Sequence, residues 1–133
     1  MSSAHPTFPP LAQLVRRGAH APYTNEYGVK LRRLLPWPPI ADTKRVITEL
    51  GLISVLIEPG KVVQTHSHDE EEMFCVVHGS AELTLEGEVT EIGVGDTVYI
   101  PRFAQHALFN RSDTTPFMFI DLYWDDQGRP VPA

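Results

Sequence analysis

The stretch GKVVQTHSHDEEEMFCVVHG, residues 60–79, decides how this chain is read. His66 and His68 stand two residues apart, and on an extended strand residues i and i+2 project from the same face. Strict alternation puts Gln64 and Val62 on that face as well. A turn through the acidic run Asp69 to Glu72 then lets the next strand return alongside, so that a carboxylate can reach the point the two imidazoles share. Two histidines and a carboxylate suit Fe, Zn, Mn, Ni or Cu as divalent ions and leave coordination positions open, whereas the imidazoles disfavour calcium.

Outward from this stretch, turn signals recur every several residues. The chain holds 12 prolines and 9 glycines, spread rather than clustered, which is the punctuation of short strands joined by turns. Strands are expected at Val29–Leu35, Val46–Glu49, Leu52–Glu58, Val62–His66, Met73–Val77, Ala81–Leu85, Thr97–Ile100, His106–Asn110 and Phe117–Trp124. Gly51 separates the second and third, Pro59-Gly60 stops the third, and Pro36-Trp37-Pro38-Pro39 closes the first. The last strand is apolar on both parities, so both of its faces should be covered. Spacing of this kind predicts an all-β sandwich or barrel. The proline-rich segment 1–28 reads as an N-terminal arm without its own core, 29–126 as the barrel, and 127–133 as an exposed tail.

A second segment strengthens the first. After fifteen intervening residues beyond Gly79 comes GDTVYIPRFAQHALFN, residues 95–110. The two together resemble the paired motifs of the cupin family, Gly-x5-His-x-His-x3-Glu-x6-Gly at Gly60, His66, His68, Glu72 and Gly79, then Gly-x5-Pro-x-Gly-x2-His-x3-Asn at Gly95, Pro101, His106 and Asn110. Phe103 stands where the second motif has its inner glycine, which should alter the turn before His106 and bring a bulky side chain toward the site mouth. The resemblance implies a small jelly-roll β-barrel holding one divalent metal through His66, His68, Glu72 and His106. Glu72 is singled out over Glu70 and Glu71 by the family register alone, and it is expected either to ligate the metal or to act as a catalytic base, with its two neighbours solvated.

Around that centre, Gln64, Phe74 and Phe103 are the expected lining of a substrate pocket, with Tyr99, Phe109 and Phe119 as further aromatic candidates. Cys75 points away from Phe74 by strand parity, which argues against a catalytic thiol, and His78 reads as a rim histidine beside the Gly79 turn. His5 and His20 lie in the arm and receive no role.

A metal in a dry barrel can polarise a carbonyl, stabilise an enolate, lower the pKa of bound water or, as iron, engage dioxygen. The functional expectation is therefore a metal-dependent enzyme acting on a small organic metabolite by oxygenase, lyase, isomerase or cyclase chemistry. One alternative is a zinc cupin that forms nitrogen–nitrogen bonds with a separate activating partner, a weaker resemblance resting on Val98-Tyr99-Ile100-Pro101 and the ending Asp121 to Asp126. Another is a non-catalytic barrel that senses or carries a small ligand.

Composition narrows the partners. With 42% hydrophobic and 21% charged residues over 133 positions the chain suits one domain with one core. A formal charge of -6 and a pI near 5.4 disfavour nucleic acid. No run approaches the ~18 apolar residues of a membrane span, and a single cysteine, Cys75, fits a cytoplasmic location. A homodimer is expected, with the N-terminal segment long enough to lie across a neighbouring copy.

Overall fold

A computed structural model describes residues 7–41, 47 and 49–125. Of the expected strand Val46–Glu49 only Ile47 and Glu49 are described, and the tail 127–133 and His5 lie outside the described residues. Along the chain run a single helical turn α1 (Leu11–Leu14), β1 (Val15–Arg16), a short 3-10 turn at Gly18–His20, β2 (Thr24–Glu26), β3 (Val29–Leu31), β4 (Glu49–Ile57), β5 (Val62–His66) and β6 (Glu71–His78). Then follow β7 (Ser80–Leu85), β8 (Glu88–Gly93), β9 (Thr97–Ile100), β10 (His106–Phe109) and β11 (Phe117–Asp125). A five-stranded sheet in the order β1-β9-β6-β11-β4 faces a four-stranded sheet in the order β5-β10-β7-β8, while β2 and β3 form a separate ribbon. All pairings are antiparallel, so the all-β barrel expected from the sequence is the fold observed.

The core lies between the two sheets. Phe74, Val76, Val98, Ile100, Phe117 and Phe119 face Ala81, Leu83, Leu85, Ile92 and Leu108, all buried. Each large apolar side chain withdrawn here from water contributes about 1.5–3 kcal/mol before conformational entropy is counted. Alternation on β11 divides its residues cleanly: Phe117, Phe119 and Asp121 are buried inside the barrel, Met118, Ile120 and Leu122 are half-buried on the outside, and Trp124 is buried against Tyr99, ring centroids 6.3 Å apart. Both faces of β11 are thus covered at its Trp124 end and only partly elsewhere.

The segment expected as a coreless arm is packed. Leu11 and Leu14 are buried in the hydrophobic core with Phe8 and Val15 against it, and β1 extends the five-stranded sheet through Val15↔Val98 and Arg16↔Thr97. The boundary near residue 28 therefore falls within the small β2–β3 ribbon rather than between an arm and a barrel.

Three local readings change. Gly51 does not break β4, because its backbone pairs with Tyr123 and the tyrosine ring occupies the space a Cβ would take. The first expected strand shrinks to Val29–Leu31. The sequence reading also passed over β8, an edge strand with exposed Glu88, Val89 and Glu91. It is joined to β7 by the two-residue turn Glu86-Gly87, both at positive φ (47° and 81°), the geometry that closes hairpins. Polar edge strands lack the apolar alternation by which strands are recognised.

Candidate metal centre

β5 and β10 carry the histidines into one place. His66 pairs directly with His106 across the two strands, their rings 4.4 Å apart, and His68 follows two residues on with its ring 5.6 Å from His66 and 5.4 Å from His106. One ring nitrogen from each of the three lies within 4.8 Å of the others, so a single ion could sit among them. Exposure is graded, with His66 at the open side and His106 buried at 2%. Backbone carbonyls fix two of the rings. Nδ1 of His66 lies 2.8 Å from the Gln64 oxygen and Nδ1 of His106 lies 2.9 Å from the Ala104 oxygen. Those contacts place the ring proton on Nδ1 and leave the Nε2 lone pair for a metal.

Glu72, at the start of β6, enters from the opposite sheet. Its Oε1 lies 2.6 Å from His68 Nε2 and 3.3 Å from His106 Nε2, at ion-pair distance without a well-aligned hydrogen bond. Burial pushes the Glu72 carboxyl up, but the neighbouring His106, Asp121 and His68 side chains outweigh it and hold the group below the ordinary carboxylate range. A buried carboxylate oxygen and a buried His68 Nδ1 without hydrogen-bond partners, beside two Nε2 lone pairs, form a donor set that fits a divalent transition metal.

Asp121 is the member that the sequence reading missed. It is 5% exposed on β11. Burial, a hydrogen bond with Glu72 and the charge of Glu72 push it up to about 9, so Asp121 keeps its proton and donates to the Glu72 carboxylate. The available signal was a lone acid inside the apolar run Phe117–Trp124, where an ionisable group must find a partner. Glu71 was expected to be solvated and is instead 1% exposed, accepting the Tyr99 hydroxyl on the outer face of the sheet. That bond also takes Tyr99 out of the pocket.

Gln64 does not join the histidines. Between the pairs His106↔His66 and Leu108↔Val63, β5 advances three residues while β10 advances two, a bulge that reverses the parity of everything before it. Val63 turns inward against Leu108, whereas Gln64 lines a shallow outer depression with Val62, Glu82, Thr84 and Phe109. Phe74 does border the centre, 6.2 Å from the His106 ring and 4.6 Å from Phe119. Phe103 adopts φ 68°, the left-handed conformation that glycine favours, and its amide donates to the His68 carbonyl at 2.9 Å. Its ring lies beside the Arg102 guanidinium, which pairs with Asp69. Cys75 is half-buried with its thiol pushed up by burial, and exposed His78 bonds the Pro116 oxygen at the far end of β6.

Comparison with known proteins places this geometry. The Cupin domain profile matches residues 53–123. Over 66% of its length the chain is 36% identical to gentisate 1,2 dioxygenase 1 of Aquipseudomonas alcaligenes, and over 61% it is 32% identical to 5-nitrosalicylic acid 1,2-dioxygenase of a Bradyrhizobium species. The match spans only 25% and 40% of those two proteins. Among solved structures, a Cupin 2 conserved barrel domain protein from Salinispora arenicola superposes with a TM-score of 0.54 at 27% identity, covering 77% of this chain and 81% of that one. The plu4264 protein of Photorhabdus luminescens gives 0.55 at 28% identity, covering 79% and 82%. With the profile spanning more than half of the sequence and both histidine motifs converging in one barrel, the chain belongs to the cupin family.

Proposed function

We propose that this chain is a metal-dependent cupin enzyme acting on a small organic molecule, with oxygen-dependent chemistry on an aromatic acid as the leading reaction. The observation that carries the proposal is the convergence of His66, His68 and His106 with Glu72 beside them. The two relatives named as dioxygenases favour oxygen chemistry within the wider set of oxygenase, lyase, isomerase and cyclase reactions.

Bound there, a divalent ion would supply Lewis acidity and, if iron, electrons for dioxygen. His66, His68 and His106 would hold it, with Glu72 as a fourth ligand or a nearby base. Phe74 and Phe119 form an apolar wall that keeps water from this side of the centre and strengthens the electrostatics within it. The Asp121 proton, shared toward Glu72, fixes the orientation of that carboxylate and stores a proton next to it.

Oxygen-electrode assays on protein purified without chelators test the reading. With gentisate and related hydroxylated benzoates as substrates, oxygen uptake should appear with Fe(II), vanish after chelation and return on adding iron back. Turnover that survives chelation, or ligand binding with no chemical change in metal-replete protein, rejects it in favour of another reaction or of a sensing barrel.

The proposal also places the protein in the cytoplasm and pairs it with a second copy. No helix among the described residues is long and apolar enough to cross a membrane. β4 lies at the edge of its sheet with Leu50 and Leu52 each 66% exposed and Leu56 55% exposed, an apolar edge of the kind that proteins cover. Light scattering at micromolar concentration should return twice the chain mass, and a monomer there removes the dimer.

A further inference from the structure

A second cavity lies on the other side of the five-stranded sheet from the histidines. It has a volume of about 340 Å³ and is lined by Arg16, Arg32 and Arg33 with Pro22, Leu31, Leu34 and Thr97 among its walls, and among the described residues no acidic one borders it. Thr97 pairs with Cys75 of β6, whose neighbour Phe74 faces the barrel interior, so the sheet itself separates the cavity from the metal centre.

The charges around this cavity are not balanced. Arg33 is neutralised by Glu26, with nitrogen to oxygen distances of 2.6 and 3.0 Å. Among the described residues, Arg16 and Arg32 bond only to neutral acceptors. Nε of Arg16 donates to Thr97 Oγ1 at 3.1 Å and its Nη2 to the Leu34 oxygen at 2.8 Å, while Nη1 of Arg32 donates to the oxygens of Gly18 and Ala21 at 2.9 and 3.2 Å. Nη1 of Arg16 and Nε and Nη2 of Arg32 have no protein acceptor among the described residues. Aromatic faces hold both guanidinium groups in place, Arg16 at 4.0 Å over Trp37 and Arg32 at 4.7 Å over Tyr23. Burial depresses the Arg16 guanidinium, nearby Cys75 opposes that, and Arg32 adds a smaller lowering. In a chain of net charge -6, two held guanidinium groups with spare donors around one cavity form a local positive site matched to an anion.

We propose that this cavity is a second ligand site, which binds a small organic monophosphate between Arg16 and Arg32. Two guanidiniums match a phosphate dianion in charge and in planar donor geometry. Pro22, Leu31 and Leu34 offer apolar surface to the organic part, and the volume falls in the range of small-molecule sites. Because Arg16 spans from β1 to Leu34, an occupant would tie the β2–β3 ribbon to the barrel.

Isothermal titration of the full chain with phenyl phosphate and with inorganic phosphate at low salt tests the site. Saturable binding with one site per chain is expected, phenyl phosphate binding more tightly than inorganic phosphate, and Arg32→Gln weakening both by about tenfold or more. Arg16→Gln should do the same. Since Arg16 also bonds Thr97 and Leu34, the Arg32 variant, whose backbone contacts lie within the N-terminal segment, carries the test if the Arg16 variant fails to fold. Metal-stripped protein should bind both probes unchanged. Absence of saturable binding, undiminished binding in Arg32→Gln, or binding lost with the metal overturns the proposal, the last by moving phosphate to the histidine centre.

Discussion

A His106→Ala variant is expected to lose its metal, with affinity falling by more than about a hundredfold. Removing a residue that merely orients a metal ligand already costs 10–100-fold, and His106 is itself one of three nitrogens that converge. It is also the most buried of them, at 2% exposure, with its Nδ1 fixed by the Ala104 carbonyl, so no water-exposed side chain can swing in as a replacement. Elemental analysis after exhaustive dialysis, and Co(II) titration followed by absorbance, read the loss. His78→Ala provides the contrast. That ring is exposed, bonds Pro116 and is absent from the cluster, and its removal should leave metal content unchanged. If His106→Ala retains stoichiometric metal, the ligand assignment is wrong.

The second large effect is on stability. Asn110→Ala should destabilise the fold by about 3 kcal/mol or more, lowering the thermal midpoint by on the order of 10 °C. The side chain of Asn110 is fully buried and fully used. Its Nδ2 donates to the carbonyls of Ile57 and Thr115, both at 2.9 Å, and its Oδ1 accepts from the Ser112 amide at 3.0 Å. Its backbone exchanges bonds with Gly60 and Lys61 at 2.9 and 3.0 Å. One residue thereby ties the end of β4, the Pro59-Gly60 turn and the loop before β11 into a single knot, and alanine leaves three backbone groups unsatisfied. The neighbouring Arg111→Ala breaks only an exposed ion pair with Glu82 and should cost less than about 1 kcal/mol. Thermal melts by circular dichroism separate the two outcomes.

What the residues disclosed by themselves follows from what each signal depends on. His66, His68 and His106 were legible because their spacing survives any small error in strand geometry. Gln64 was not, since a bulge is invisible to an alternation rule and one extra residue sends a side chain to the other face. Asp121 and Glu71 were hidden by a composition habit that assigns acids to solvent, when each has a buried partner in Glu72 or Tyr99. The packing of Leu11 and Leu14 was obscured by the prolines around them, which mark irregular backbone without saying whether it is covered. Phe103 marked a real departure, but the effect is on backbone strain, since the chain holds a bulky residue at φ 68° to keep the His68 contact.

The bulge in β5 has a further consequence. A regular strand has one phase, so a residue that packs the core and a residue that binds an ion must stay an even number of positions apart. The additional residue at Gln64-Thr65 resets that phase in the middle of the strand, and Val63 and His66, three positions apart, both face inward. Each half of β5 can then change without dictating the other: Val62 and Gln64 can be altered to reshape the outer depression while the two histidines stay where they are.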